Sequence, residues 1–266
     1  MFTFAIPEPW QGQLTPGIAV RVPFGRRTAV GFVVTLADQA ARRVRDIAAI
    51  EGRIPPLPVD LVSLAMWMAD YYVCSVGEAI AAMLPPLAAA LSTKPAEPIR
   101  IVQGEGTSLA LPDTGVVAQL NAGKQVVAVV GEAARFEAYA QAVQWALDRQ
   151  TDVIVLVPEV AQAERLLEWI LRRTAVPAVL LAGDIPPRSR WQIWRQIASG
   201  AVHIVVGTRS AVFAPLPRLG LLIVDHEEDS SYKEEREPRY HVRRVAQERA
   251  RLRQVPVIYG TPAPSL

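Results

Sequence analysis

The chain has 266 residues, 51% of them hydrophobic and 20% charged, with a net charge of +2 and a single cysteine, Cys74. This composition excludes a disordered chain, a disulfide scaffold and a cysteine-rich zinc site, and the length suffices for one large domain or two ordinary ones. The most apolar region, 59–93, is interrupted by Asp60, Asp70, Glu78 and Pro85-Pro86. No piece of it reaches the roughly 18 apolar residues of a membrane helix, and the N-terminus lacks the basic-then-apolar order of a secretory signal. A soluble cytoplasmic protein is expected. Its basic residues are almost all arginine, with lysine only at 94, 124 and 233. Arginine suits bidentate phosphate contacts, although a G- and C-rich genome gives the same bias.

Residues 1–57 carry short β-like runs, "IAVRVPFG" (18–25), "TAVGFVVTL" (28–36) and "IAAIEG" (47–52). Alternation of Val20, Val22 and Phe24 predicts a half-buried strand. Leu61, Leu64, Ala65, Met68 and Tyr72 recur at helical spacing, with Gly77 expected to break the helix and Pro85-Pro86 to end it. The Pro-, Gly- and Ser-rich stretch around 92–108 reads as a linker. From 113 onward, strand candidates at 125–130, 152–157, 178–182, 203–207, 219–225 and 255–260 alternate with helix candidates at 132–149, 159–173, 187–199 and 240–253. That order predicts an α/β fold with a parallel sheet and helices on both faces, its ligand site beyond the carboxyl ends of the strands.

The residues at those ends carry a specific resemblance. "VVGTRSAVFAPLPRLGLLIVDHEEDSSYKEEREPRYHVRRVAQERA", followed by "VPVIYGTPAPSL", closely resembles the first helicase lobe of the PriA family of replication-restart proteins (primosomal protein N′). Near the N-terminus, "VPFG" (22–25), "GFVV" (31–34) and "WMADYYVCSVGEAIAAMLP" (67–85) also fit that family. The resemblance implies a small mixed β/α DNA-binding domain (1–91) that holds a 3′ end or fork, a linker (92–112) and one RecA-like lobe (113–266). It implies forked or single-stranded DNA as ligand. Other restart proteins, single-stranded DNA-binding protein and a replicative helicase loader are the implied protein partners, in the nucleoid. The family's ATP and magnesium would bind at the lobe's strand ends. Its zinc module and second lobe would lie beyond 266, and a winged-helix domain would stand where the linker is.

Where the sequence departs from the family, the chemistry changes. A phosphate loop needs G-x-x-x-x-G-K-[ST], with amides cradling phosphates and a lysine neutralising them. Here Gly131 is followed by Glu132, Ala133 and Ala134, then Arg135 at the lysine position and Phe136 at the hydroxyl position. Arg135 reads either as a phosphate contact or, more simply, as an exposed helix arginine. Asp225 matches the family's magnesium ligand or is a strand-end aspartate capping a turn, and His226 replaces the glutamate that would orient water. The family's "GSATP" has become Gly260-Thr261-Pro262-Ala263-Pro264. A chain that binds DNA without hydrolysing ATP is therefore expected, with no cofactor. The alternatives are a DNA-dependent ATPase or 3′–5′ helicase with a divergent phosphate loop, or a protein-interaction module alone.

For DNA, the family's "F-D-Y" pocket stands here as Phe2-Thr3-Phe4, whose rings either stack on a base or fill an edge-strand core. Arg21, Arg26 and Arg27, with Arg42, Arg43 and Arg45, are candidate phosphate contacts or merely solvated faces. Arg209 in "GTRS" sits on a strand-end loop that touches single strands in helicases. Lys233, Arg239 and Tyr240 are secondary candidates, with pairing to Glu234, Glu235 and Glu237 the simpler reading.

Overall fold

The computed structural model describes every residue except 1, 39–43, 98, 107–111, 132–134, 184 and 264–266. Arg42, Arg43 and Glu132 thus lie outside the described residues.

The N-terminal module is an antiparallel sheet of β1 (Ala19–Phe24), β2 (Arg27–Phe32) and β3 (Ala49–Ile50), ordered β2-β1-β3. Leu14, Val20, Val22 and Ile47 form its core, with Phe4, Ile6 and Trp10 packed at the margin. A two-residue turn, Gly25-Arg26, joins β1 to β2 and places Phe24 directly opposite Arg27. Gly25 takes φ +61° at the first central position, where a side chain would be strained and glycine is preferred.

Three helices follow, α1 (Val59–Tyr71), α2 (Val76–Met83) and the short α3 (Leu87–Ala90). The helical break falls earlier than Gly77. Val73 takes φ 54°, and Ser75 opens α2 with a capping box in which its hydroxyl accepts from the Glu78 amide while its own amide donates to the Glu78 carboxylate. That box satisfies two of the orphan donors at the helix start, so Gly77 rides inside the helix.

The lobe contains β4 (Ile101–Gln103), α4 (Val116–Asn121), β5 (Val126–Val130), α5 (Arg135–Asp148), β6 (Asp152–Leu156), α6 (Val160–Leu171), β7 (Pro177–Leu181) and α7 (Pro187–Ala198). It continues with β8 (Ile204–Gly207), β9 (Leu219–Asp225), α8 (Val242–Arg253) and β10 (Val257–Thr261). Among the described residues seven strands form one sheet in the order β4-β7-β8-β6-β9-β10-β5, parallel except for β4, which pairs antiparallel with β7. The stretch read as linker therefore supplies an edge strand. Successive residues of β6 serve opposite faces: Val153 and Val155 pack under α4, α5 and α6, and Ile154 and Leu156 pack under α7 and α8. Burial on both sides explains why these strands read as unbroken aliphatic runs.

Helices α1–α3 belong to this second core. Leu61, Leu64, Ala65 and Met68 are buried in the same cluster as Leu156, Trp191 and Val245. The Trp191 indole donates to the Pro86 carbonyl at 2.9 Å, and Arg195 on α7 reaches the Arg53 carbonyl at 3.0 Å. The seam between α1 and α8 is pinned by a buried ion pair, Arg249 Nε to Asp60 Oδ2 at 3.0 Å, with Arg249 fully buried.

Candidate nucleic-acid interface and strand-end site

The N-terminal segment is drawn onto the module by Ala5, which donates to the Arg45 carbonyl at 2.9 Å and accepts from the Ile47 amide at 3.0 Å. This brings Phe2-Thr3-Phe4 and Arg45 together. Phe4 is half-buried at the core margin, whereas Phe2 is 71% exposed and meets Phe24, 51% exposed, edge to face at 5.3 Å. Phe24 is the residue the strand alternation hid: it stands at the hairpin tip, beyond the reach of the core. Its side chain shares the hairpin's end with exposed Arg27 and, in the turn, exposed Arg26. The signal that could have found it is an aromatic immediately before a turn glycine and two arginines.

Arg21 does not belong to this patch. Its Nε donates to Glu51 Oε2 at 2.8 Å, and Arg53 grips the same buried carboxylate at 2.8 and 3.0 Å. Arg53, with Arg21 behind it, holds the Glu51 carboxyl at about 2, below its ordinary 4.5, against the upward push of burial. Because the folded value is the lower one, this contribution is fully present above pH 4.5 and is lost as pH falls towards 2. Glu51→Gln should therefore flatten the acid limb of the melting temperature between those limits. An unchanged limb would sink this assignment.

At the carboxyl ends of β5, β9 and β10 the structure corrects the expectation of an exposed Arg135. Arg135 is 5% exposed, and its Nε lies 2.7 Å from Asp225 Oδ1, itself at 2% exposure. Tyr139, one turn along α5, donates to the same Oδ1 at 2.8 Å, and the Tyr232 hydroxyl donates to the Asp225 carbonyl at 2.6 Å. The Asp225 carboxylate also accepts from the backbone amide of His226, at the start of the turn that follows β9. Burial pushes its carboxyl above the usual range while the Tyr139 hydroxyl and the Arg135 charge pull it back. Burial and the neighbouring Asp225 push the Tyr139 phenol far up, so it remains a donor.

His226 takes φ 48°, in the left-handed region, and turns its ring back over the guanidinium, with Nε2 2.9 Å from Arg135 Nη2. Arginine can only donate, so Nε2 accepts and Nδ1 carries the proton, facing Glu228 Oε1 at 3.3 Å. The Thr261 hydroxyl closes the chain at 2.7 Å from Glu228 Oε2. Gly260 makes the arrangement sterically possible, since a Cβ there would stand 1.5 Å from the Tyr139 hydroxyl and 2.9 Å from Arg135 Cδ. Gly131 opens the loop after β5 with φ +97°, its amide bonded to the Thr261 carbonyl at 2.9 Å. Phe136 lies 40% exposed against Tyr139 and Trp169. Arg135, Tyr139 and His226 thus gather around Asp225 at these strand ends. No group of three or more His, Cys, Asp or Glu suited to a metal occurs among the described residues.

The loop residues are similarly committed. Arg209 donates to the Ser231 and Lys233 carbonyls at 2.8 and 2.9 Å and pairs with Glu234 at 3.3 Å, so it tethers the acidic loop from within. Tyr240 is buried against Phe213, and Arg239 pairs with Glu237. Among the described residues, no helix is long and apolar enough to cross a membrane.

The chain thus joins a small β module with an exposed aromatic and basic hairpin to a parallel-sheet lobe whose strand-end aspartate is internally ion-paired. Residues 1–85 match the family model described as a 3′DNA-binding domain (3′BD) of PriA. The chain is a homologue of replication restart protein PriA. It is 31% identical to the Treponema pallidum protein of that name over 278 residues, covering 100% of this chain and 42% of that one. The Synechocystis and Bacillus subtilis proteins of the same name are 41% and 36% identical over 131 and 130 residues, about half of this chain and 16% of each relative. The chain thus spans less than half the length of these relatives.

Proposed function

We propose that the chain binds branched or single-stranded DNA through its N-terminal module, holding a 3′ end, and serves replication restart as a scaffold that does not hydrolyse ATP or unwind DNA. The observation that carries this reading is the pairing of Asp225 with the chain's own Arg135 at 2.7 Å. A carboxylate that would hold magnesium is already paired within the chain, by the arginine that stands at the lysine position of a phosphate loop. The exposed Phe2–Phe24 pair beside Arg26 and Arg27 supports DNA as the ligand, because bases stack on aromatic faces while arginines meet phosphates. Restart proteins, single-stranded DNA-binding protein and a helicase loader are the partners that such a scaffold would gather, in the cytoplasm at the nucleoid.

Fluorescence anisotropy with a fork, a duplex and a single strand across a salt series tests the DNA half. Tight fork or single-strand binding is expected, with a log–log salt slope of about −2 if Arg26, Arg27 and Arg45 each neutralise a phosphate of a single strand. Feeble, salt-insensitive binding to all three would overturn it. For the other half, ATP with magnesium should leave the melting temperature unchanged, whereas a nucleotide at 100 times its Kd would add about 2.7 kcal/mol.

A further inference from the structure

We propose that the N-terminal patch accepts a DNA end bearing a 3′-phosphate at least as well as one bearing a 3′-hydroxyl. This rests on the DNA-binding reading above and deepens it, since it concerns what the patch does with the end it holds.

The patch has an exposed aromatic pair and an unspent positive charge. Phe2 and Phe24 stand edge to face at 5.3 Å and both are more than half exposed, so one ring face is free for a terminal base. Arg27 sits opposite Phe24 at the end of the hairpin ladder and Arg26 occupies the turn. Both are exposed, and neither has an ion-pair partner among the described residues, in contrast to Arg21, which Glu51 holds. Thr3, between the two N-terminal rings, is exposed and uncharged. Segment 2–4 therefore offers no carboxylate to accept specifically from a terminal hydroxyl, and none to repel a terminal phosphate. Exposed Asp46, across the bridge from Ala5, borders the patch and lies next in sequence to exposed Arg45. A terminal phosphate carries −1.5 to −2 charge at neutral pH and three acceptor oxygens, which suit the forked donors of arginine. Exposed pairs are weak, so the gain is small: a 3′-phosphate end should bind about two- to five-fold tighter at low salt.

The experiment uses the full chain and one labelled oligonucleotide in three forms: 3′-hydroxyl, 3′-phosphate and covalently circularised. The expected order is 3′-phosphate at or above 3′-hydroxyl, with both above the circle. Arg26→Ala/Arg27→Ala should abolish the advantage of the phosphate while leaving the hydroxyl form the tighter-bound of the two or equal to it. Phe24→Ala should weaken both linear forms together, by roughly 5- to 100-fold. A 3′-hydroxyl end that binds tighter to the unaltered chain overturns the proposal, as does a circle that binds as well as either end. In both cases DNA binding itself stands. Failure of all three to bind strikes the underlying DNA reading instead. Every substituted residue is on the surface, and circular dichroism of each variant separates lost binding from lost fold.

Discussion

Replacing Arg135 by alanine should cost the fold about 3–5 kcal/mol, because it strands a buried carboxylate without its cation. Asp225 is 2% exposed, and its carboxylate meets Arg135, the Tyr139 hydroxyl and the His226 backbone amide, of which Arg135 alone is a permanent cation. A hydroxyl offers one hydrogen bond and no charge, so it cannot substitute for the guanidinium. His226 would lose the donor on its Nε2 in the same step. Denaturant titration measures the loss. The paired variant Arg135→Ala/Asp225→Asn should recover much of it, since the charge that made the deletion costly is gone. A loss below about 1 kcal/mol would mean that Asp225 needs no internal cation. The strand ends would then be open to an external one, and the reading of a closed nucleotide site would fall with it.

Asp60→Ala should be comparably damaging, again by about 3–5 kcal/mol, through a different seam. Arg249 is fully buried on α8, and burial pulls its guanidinium below the usual range despite the pull of Asp60. Its remaining donors reach the Val212 and Ala214 carbonyls, so Asp60 on α1 supplies the only counter-charge within 4 Å among the described residues. Removing Asp60 leaves a buried cation held by two carbonyl dipoles. Hydrogen exchange should then show α1 and α8 opening together while β1 and β2 keep their protection. Opening confined to α1 would show that α8 needs no anchor. Exchanging both members of the pair for Leu and Met should cost less than either single change.

These two pairs mark where sequence reading stops. The parallel strands were legible because β6 and β9 are buried on both faces and must be continuous aliphatic runs. Helix α8 was legible from Val242, Val245, Ala246 and Ala250 at helical spacing, yet the buried Arg249 among them has no sequence signature, because its partner lies 189 residues away. Arg135 and Tyr139 fall one turn apart on α5, which could have suggested a shared target. That target, Asp225, comes within reach only through the crossover that sets β10 between β5 and β9. The strand β4 was missed for a similar reason: three residues in a Pro- and Gly-rich stretch become a strand only by pairing with β7. Of the exposed hairpin patch, Phe2, Arg26 and Arg27 were visible. Arg21 was not separable from them until Glu51 was placed beside it, and Phe24 was misassigned because alternation says nothing about where a core ends.

The bonds at the base of the hairpin have a mechanical consequence. Arg21 on β1 and Arg53 share Glu51, the Arg53 carbonyl is held by Arg195 on α7, and the Arg53 side chain reaches the Leu91 carbonyl. A short polar chain thus runs from the strand that ends in Phe24 to the helical layer of the lobe, parallel to the apolar packing of α1 against α8. The two parts are built to turn as one body rather than to flex at a joint. A strand gripped at the hairpin would leave it along a single bearing relative to the lobe, so probes on the nucleic acid and on α7 should report one narrow distance instead of a spread.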